Sequence, residues 1–167
     1  FMEGHGFEPL GLELMGVGVT SDADHIITPS EEGPREAIRR AFADADIDPA
    51  QVASWDLHAT ATPGDVQEVS NLRSVLGGPV CLTARKGTFG HGMSVAGGWE
   101  LMAQHLGLAE GEIYPTPLED SQLNEPLREM PFRFVASGGC DAPDGAAGKL
   151  SMGVGGINAC VISRPWS

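Results

Sequence analysis

Two histidines and a lysine are the residues of this sequence best placed to do chemistry. His58 opens the run His58-Ala59-Thr60-Ala61-Thr62-Pro63-Gly64-Asp65, which leaves the end of a short apolar stretch, Trp55–His58. An imidazole followed by threonines at alternate positions lies in a small-residue, hydroxyl-rich turn. Lys86 and His91 share the run Lys86-Gly87-Thr88-Phe89-Gly90-His91. That run puts a cation and an imidazole in one glycine-hinged loop ahead of a helix, where free N–H groups and the helix dipole favour anions. A third run, Ser151-Met152-Gly153-Val154-Gly155-Gly156-Ile157-Asn158, has glycines that let main-chain N–H groups approach a substrate oxyanion.

Each run also has an ordinary structural reading. A histidine at a strand end is commonly a hydrogen-bonded structural residue, a lysine before a glycine turn is commonly solvated, and a GxGG run commonly makes a tight turn. Other site chemistries fit poorly. No G-x-x-x-x-G-K-[ST] is present, and Gly16-Val17-Gly18-Val19-Thr20-Ser21 ends in serine where a dinucleotide fingerprint wants Gly or Ala. A zinc site on His58 and His91 lacks a third ligand at suitable spacing, so no metal is expected.

Taken together and in order, the three runs resemble the C-terminal half of the β-ketoacyl synthases, the condensing enzymes of fatty-acid and polyketide synthesis. The family pattern H-[GA]-T-x-T…GD-x-x-E is matched by His58, Thr60 and Thr62, then Gly64, Asp65 and Glu68. Its K-x-x-x-G-H-x-x-x-A-A-G…E pattern is matched by Lys86, Gly90, His91, Ala96, Gly97 and Glu100, and its closing G-F-G-G-T-N by Gly153–Asn158. The segment Gly18–His25 is also similar to the stretch that precedes these motifs.

The resemblance implies an α/β, thiolase-like fold, a mixed sheet with helices on its faces, of which residues 1–167 are the C-terminal half and 1–7 a remnant of the N-terminal one. It implies that His58 and His91 bond a malonyl thioester carbonyl, that Lys86 sets the electrostatics beside them, and that Glu100 is its ion-pair partner. Val154, with Gly155, would supply an oxyanion N–H at the family's gate position. Thr60, Thr62, Asp65, Glu68 and Asn158 would be supporting residues. The nucleophilic cysteine, in this family, belongs to the N-terminal half. Substrates would be phosphopantetheine thioesters on an acyl carrier protein, with no further cofactor, and the chain would work as a homo- or heterodimer with that missing half. Two departures stand out: the gate is Val154 rather than Phe, and the spacing from Thr62 to Gly64 is one residue shorter than usual. The alternatives are a non-catalytic partner subunit of the chain-length-factor kind and a free acyl-binding module.

The elements that must position these runs are legible in the hydrophobic pattern. Strands are expected at Leu12–Thr20, Trp55–His58 and Val80–Thr83, with Gly16 and Gly18 marking a bend or a close backbone approach. A helix over Pro34–Ala45, after cap and turn chemistry at Thr28–Ser30, has an apolar face of Ala37, Ile38, Ala41, Phe42 and Ala45. A second opens at Asp65 with Val66, Val69, Leu72 and Leu76 inward. A third, Ser94–Leu108, is expected to face Val95, Trp99, Met102, Ala103 and Leu106 inward. Prolines between Pro115 and Pro131 forbid a long helix. Phe132–Ser137 and Asn158–Arg164 read as the last strands, hairpin-like, joined by a glycine-rich loop over Ser137–Gly156.

Composition limits the function classes. The 167 residues carry 10 Lys+Arg against 23 Asp+Glu, a net charge of −13, which argues against a general nucleic-acid binder that must displace counterions. No apolar run approaches a membrane span of about 18 residues and no signal-peptide pattern opens the chain, so a cytoplasmic location is expected. Cys81, Cys140 and Cys160 share no C-x-x-C spacing, and reduced, buried thiols are expected. The chain opens on Phe1, which suggests a piece of a longer protein. An acidic carrier protein would be repelled unless charge is segregated, with Arg35, Arg39 and Arg40, or Arg85 beside Lys86, as candidates for a local basic dock and a solvated helix face as the simpler reading.

Overall fold

The structure, a computed structural model, describes residues 3–6, 11–22, 26 and 30–166. The turn read at Thr28-Pro29, the 23–25 part of the segment Gly18–His25, and Phe1, Met2 and Phe7 of the 1–7 remnant lie outside the described residues. In chain order the elements are β1 (Leu12–Ser21), α1 (Glu32–Ala45), β2 (Val52–Asp56), α2 (Gly64–Arg73), β3 (Cys81–Thr83), α3 (Lys86–Phe89), α4 (Ala96–Ala109), β4 (Glu112–Ile113), α5 (Glu125–Arg128), β5 (Arg133–Phe134), β6 (Cys140–Asp141), β7 (Ala146–Gly153) and β8 (Ile157–Pro165). Six strands form one mixed sheet in the order β1-β8-β7-β2-β3-β5, and β4 pairs with β6 in a small second sheet. β8 runs antiparallel to its neighbours β1 and β7, whereas β7, β2, β3 and β5 are parallel.

Helices cover both faces of the sheet. Ala37, Ile38, Ala41 and Phe42 of α1 are buried with Trp55, Leu150, Cys160 and Ile162 in the main apolar cluster, which α2 extends through Val69 and Leu72. Gly16 and Gly18 are where α1 comes closest: a Cβ at Gly16 would strike the Ala41 carbonyl oxygen, and one at Gly18 the Ala37 carbonyl oxygen. Those two glycines therefore let a helix backbone lie directly on a strand. Successive strand residues face opposite sides, so Lys149 and Ser163, next to Leu150 and Ile162, turn to the other face. There α4 packs against β7, β8 and β2.

The inward face of α4 differs from expectation. Trp99, Met102 and Leu106 are 49%, 63% and 58% exposed, and Val95 is exposed too, while Glu100, Gln104 and His105 are buried. Of the five residues expected inside, only Ala103 is. The polar face holds the sheet because the sheet offers polar partners: Gln104 Nε2 donates to the Gly148 carbonyl at 3.1 Å, and His105 Nε2 lies 2.8 Å from Ser163 Oγ. Hydrophobic periodicity identified the apolar stripe correctly but not the side on which it would be covered.

The second correction concerns the chain's end. Residues 146–153, expected to be loop, form the eight-residue β7, and β7 is the antiparallel partner of β8. Arg133–Phe134 lies instead at the far edge of the sheet, parallel to β3. The small residues of β7 have a packing cause, since the Trp55 ring lies directly over Gly148 and leaves no space for a Cβ. Replacing Gly148 by alanine is expected to cost about 2 kcal/mol or more through overpacking. At Gly98, where no atom lies within 4 Å of an added Cβ, alanine is expected to be neutral or mildly stabilising. Urea unfolding of the two variants checks the contrast; equal midpoints would contradict this packing.

Candidate active site

The loop after β2 is built around main-chain donors. Beyond Asp56, the Leu57 N–H still donates to the Thr83 carbonyl at 2.8 Å, but the next three N–H groups turn to carboxylates of α2. His58 N–H reaches Glu68 Oε1 at 2.6 Å, Ala59 N–H reaches Glu68 Oε2 at 2.9 Å, and Thr60 N–H reaches Asp65 Oδ1 at 3.0 Å. The short spacing before Gly64 therefore leaves Asp65 within reach of the loop. Ala61 holds φ 57°, a left-handed conformation that costs a non-glycine residue on the order of 1 kcal/mol and persists because the clamp determines it. The Thr60 and Thr62 hydroxyl oxygens are 3.2 Å apart. A cleft of about 550 Å³ is lined by Leu57, Thr62, Asp65, Leu127 and Phe134, so the same loop forms one of its walls.

Lys86 opens α3, and its ammonium points back at this loop. It pairs with Glu100 Oε1 at 2.8 Å, donates to the His58 carbonyl oxygen, and lies 3.4 Å from His58 Nδ1. His58 Nδ1 also accepts the Met152 N–H at 3.3 Å, and His91 Nδ1 accepts the Met93 N–H at 3.1 Å. A neutral imidazole carries its hydrogen on one nitrogen only, and a nitrogen that accepts is not that one. Both rings therefore carry the hydrogen on Nε2. Their centroids are 6.0 Å apart with the planes at 84°.

Burial first, then the Lys86 and Lys149 ammoniums and His91, hold the His58 pKa down to about 3, so at neutral pH this ring is a hydrogen-bond donor without charge. Burial pushes Glu68 the other way, up to about 7, against the two main-chain N–H bonds that favour its ionised form.

The third run lies on the neighbouring hairpin. Val154, 68% exposed, and Gly155 occupy the β7–β8 turn, where Gly155 and Gly156 take φ of 93° and 82°. Asn158, fully buried, donates to Asp22 Oδ2 at 3.2 Å, to Thr20 Oγ1 at 3.3 Å and to the Gly156 carbonyl at 3.2 Å, and so ties this turn to β1. The link from this hairpin to His58 runs through Met152, two residues before the turn.

Three charged residues here were not found from the sequence. Arg85 Nε lies 3.4 Å from Asp56 Oδ1, Asp56 Oδ2 lies 3.6 Å from Lys149 Nζ, and Lys149 Nζ lies 2.7 Å from Glu100 Oε2. Arg85, offered by the sequence as a candidate for a surface dock, is buried. Asp56 stands in a short apolar strand, and a charge inside such a strand was the available signal for it. On the helix α1, Arg35, Arg39 and Arg40 pair with Glu32 and Glu36, as a solvated face does. Burial pushes the Cys81 and Cys160 thiols up, the opposite of what a nucleophile needs.

A mixed sheet covered by helices on both faces, with two imidazoles brought to 6.0 Å by the segments that follow β2 and β3, is an α/β, thiolase-like architecture. Residues 12–118 match the family described as β-ketoacyl synthase, C-terminal domain, and the chain belongs to that family. It is 31% identical over 158 residues to 3-oxoacyl-[acyl-carrier-protein] synthase 2 of Staphylococcus aureus, an alignment covering 91% of this chain and 38% of that protein. Among solved structures it is similar to an oxazolomycin ketosynthase domain from Streptomyces albus JA3453, with a TM-score of 0.88 and 25% identity over 99% of this chain and 31% of that one. It is similar at the same TM-score and identity to the ishigamide ketosynthase/chain length factor, covering 99% of this chain and 40% of that one. The chain thus spans well under half the length of these relatives. Among the described residues no helix is long and apolar enough to cross a membrane.

The two shifted groups near the loop give opposite pH signatures. His58, held below its unfolded value of about 6.5, favours the fold above that pH, and its contribution is lost as pH falls towards 3. Glu68, raised above its unfolded value of about 4.5, contributes fully below that pH, and its contribution is lost as pH rises through 7. The stability of the wild type relative to Glu68→Gln is therefore expected to fall between pH 4.5 and 7 in urea titrations. A difference that stays flat or grows over that range would contradict the buried, raised carboxyl.

Proposed function

We propose that this chain supplies the two-histidine part of the site for a decarboxylative Claisen condensation of an acyl thioester with a malonyl-type thioester, in fatty-acid or polyketide synthesis. The observation that carries the reading is the pair of imidazoles with Nδ1 occupied by main-chain N–H groups, which leaves two Nε2–H donors on facing rings. In this reading the malonyl thioester carbonyl oxygen lies between those donors. The bond to the carboxylate breaks, CO2 leaves, and the electron pair passes into an enolate whose oxygen both N–H groups hold. The enolate carbon attacks an acyl group carried as a thioester on a cysteine of an N-terminal half. The new C–C bond forms as the cysteine thiolate leaves, with the Val154 N–H at the developing oxyanion.

The Lys86 ammonium, paired with Glu100, lies beside His58 and disfavours a charge on that ring, which then donates a hydrogen bond rather than a proton. Glu68 and Asp65 hold the loop, Thr60 and Thr62 support it, and the substrates are phosphopantetheine thioesters on an acyl carrier protein. No metal or further cofactor enters the scheme.

The outward face of α4 supports the need for a second half. Trp99, Met102 and Leu106, with Phe89 and Met93 nearby, make a contiguous exposed apolar surface of the kind that marks an interface. In the working assembly the N-terminal half would cover it, in a homo- or heterodimer. A second reading, a non-catalytic partner subunit, is favoured by the likeness to the ishigamide ketosynthase/chain length factor. It leaves the Lys86–Glu100 pair and the two oriented imidazoles without a task.

The test is reconstitution with a first half that carries a reactive cysteine, following CO2 release from a malonyl thioester and formation of the ketoacyl product. His58→Ala and His91→Ala are each expected to lower decarboxylation by about 10²- to 10³-fold. Full activity in both variants would overturn the reading in favour of the partner subunit. Condensation by the isolated chain would overturn the assignment of the nucleophile to another half.

A further inference from the structure

Lys149 is a buried cation that the proposed chemistry does not use. It is 3% exposed, on β7 between Gly148, under the Trp55 ring, and Leu150, in the apolar cluster. A buried ammonium is tolerated only with partners on every side, and Lys149 Nζ has them. Glu100 Oε2 is at 2.7 Å, the Leu150 carbonyl at 2.7 Å, the Leu57 carbonyl at 3.3 Å and Asp56 Oδ2 at 3.6 Å.

These contacts converge on the site from three directions. The other oxygen of Glu100 holds Lys86 at 2.8 Å. Leu57 is the residue before His58. Three residues along β7 from Lys149, the Met152 N–H donates to His58 Nδ1.

We propose that Lys149 is a positioning residue for the two-histidine site: it takes one oxygen of Glu100, which leaves the other fixed on Lys86, the group that holds the His58 loop. The inference rests on the reading of His58 and His91 as thioester donors. With a lysine on each oxygen the Glu100 carboxylate has one orientation; with Lys86 alone it can turn, and Lys86 turns with it. Lys86 is the group that touches both the main-chain oxygen and Nδ1 of His58. The other charged and titratable groups facing Lys149 are Asp56, itself paired with Arg85, the carboxyl of Glu68 and the thiol of Cys160. Lys149 follows burial and Lys86 among the causes that hold His58 down.

The test compares Lys149→Met with Lys149→Arg, and adds the double variant Lys149→Met with Asp56→Asn. The double variant removes one of the two carboxylates, Asp56 and Glu100, that loss of the lysine leaves with no cation between them, and it carries the test if Lys149→Met does not fold. The first readout is the titration of the His58 ring by ¹⁵N NMR in this chain. Loss of the lysine is expected to move its midpoint upward from about 3, and arginine to restore it. The second is decarboxylation in the reconstituted assembly, where the same loss is expected to lower kcat about 10- to 100-fold with KM nearly unchanged, again restored by arginine.

A folded variant lacking the lysine that keeps both the wild-type midpoint and the wild-type kcat would overturn the role of Lys149. A midpoint that moves in an assembly whose wild type shows no decarboxylation would instead overturn the two-histidine reading and leave the electrostatic link in place.

Discussion

Five ionisable side chains of alternating type lie in a row inside this domain, from Arg85 through Asp56, Lys149 and Glu100 to Lys86. Removing such charges from water costs several kcal/mol each unless partners are found, and breaking a buried pair typically costs about 3–5 kcal/mol. The members come from β2, β7, α4 and the start of α3 with the residue before it. Keeping every member paired therefore fixes these elements against each other more tightly than apolar packing alone would. It also dictates which way α4 turns. With Glu100, Gln104 and His105 required on the sheet, the helix has no choice but to present Trp99, Met102 and Leu106 outward.

The end of that row is what gives His58 its character. Lys86 reaches the loop through the His58 carbonyl and ring, while α2 secures the main-chain N–H groups of His58 and Ala59 with one carboxylate. A ring so enclosed and so close to positive charge stays neutral, with Nδ1 occupied and Nε2–H outward. His91 reaches the same tautomer by a local bond to Met93, without a place in the charge row. The net charge of −13 has no counterpart in an open basic patch on the arginines of α1 or on Arg85, which are paired or buried. In the proposed assembly, docking of an acidic carrier protein falls to the other half.

Much of this was readable from residues and spacing. The strands that carry the first two loops, the helix after each and the bend or close approach at Gly16 and Gly18 follow from periodicity and glycine placement, whereas the mixed sheet was implied only by the motif resemblance. The pairing of Lys86 with Glu100 was implied only by the motif resemblance. Lys149 was invisible because its partners are distant in sequence and its own neighbours, Ala146-Ala147-Gly148, look like a loop. That stretch becomes a strand because Trp55 needs a flat surface to lie on and β8 needs a partner, both tertiary causes. The facing of α4 was misjudged for a related reason: an amphipathic pattern records two faces, and which one the same chain covers depends on the polar partners waiting on the sheet.

The central claim is that both imidazoles offer Nε2–H donors to one place. The ¹⁵N and ¹³C chemical shifts of the His58 and His91 rings at neutral pH read the tautomer directly. A protonated Nε2 and an unprotonated, hydrogen-bonded Nδ1 are expected on both rings. A hydrogen on Nδ1 of either ring, or a charged His58 at pH 7, would contradict that claim.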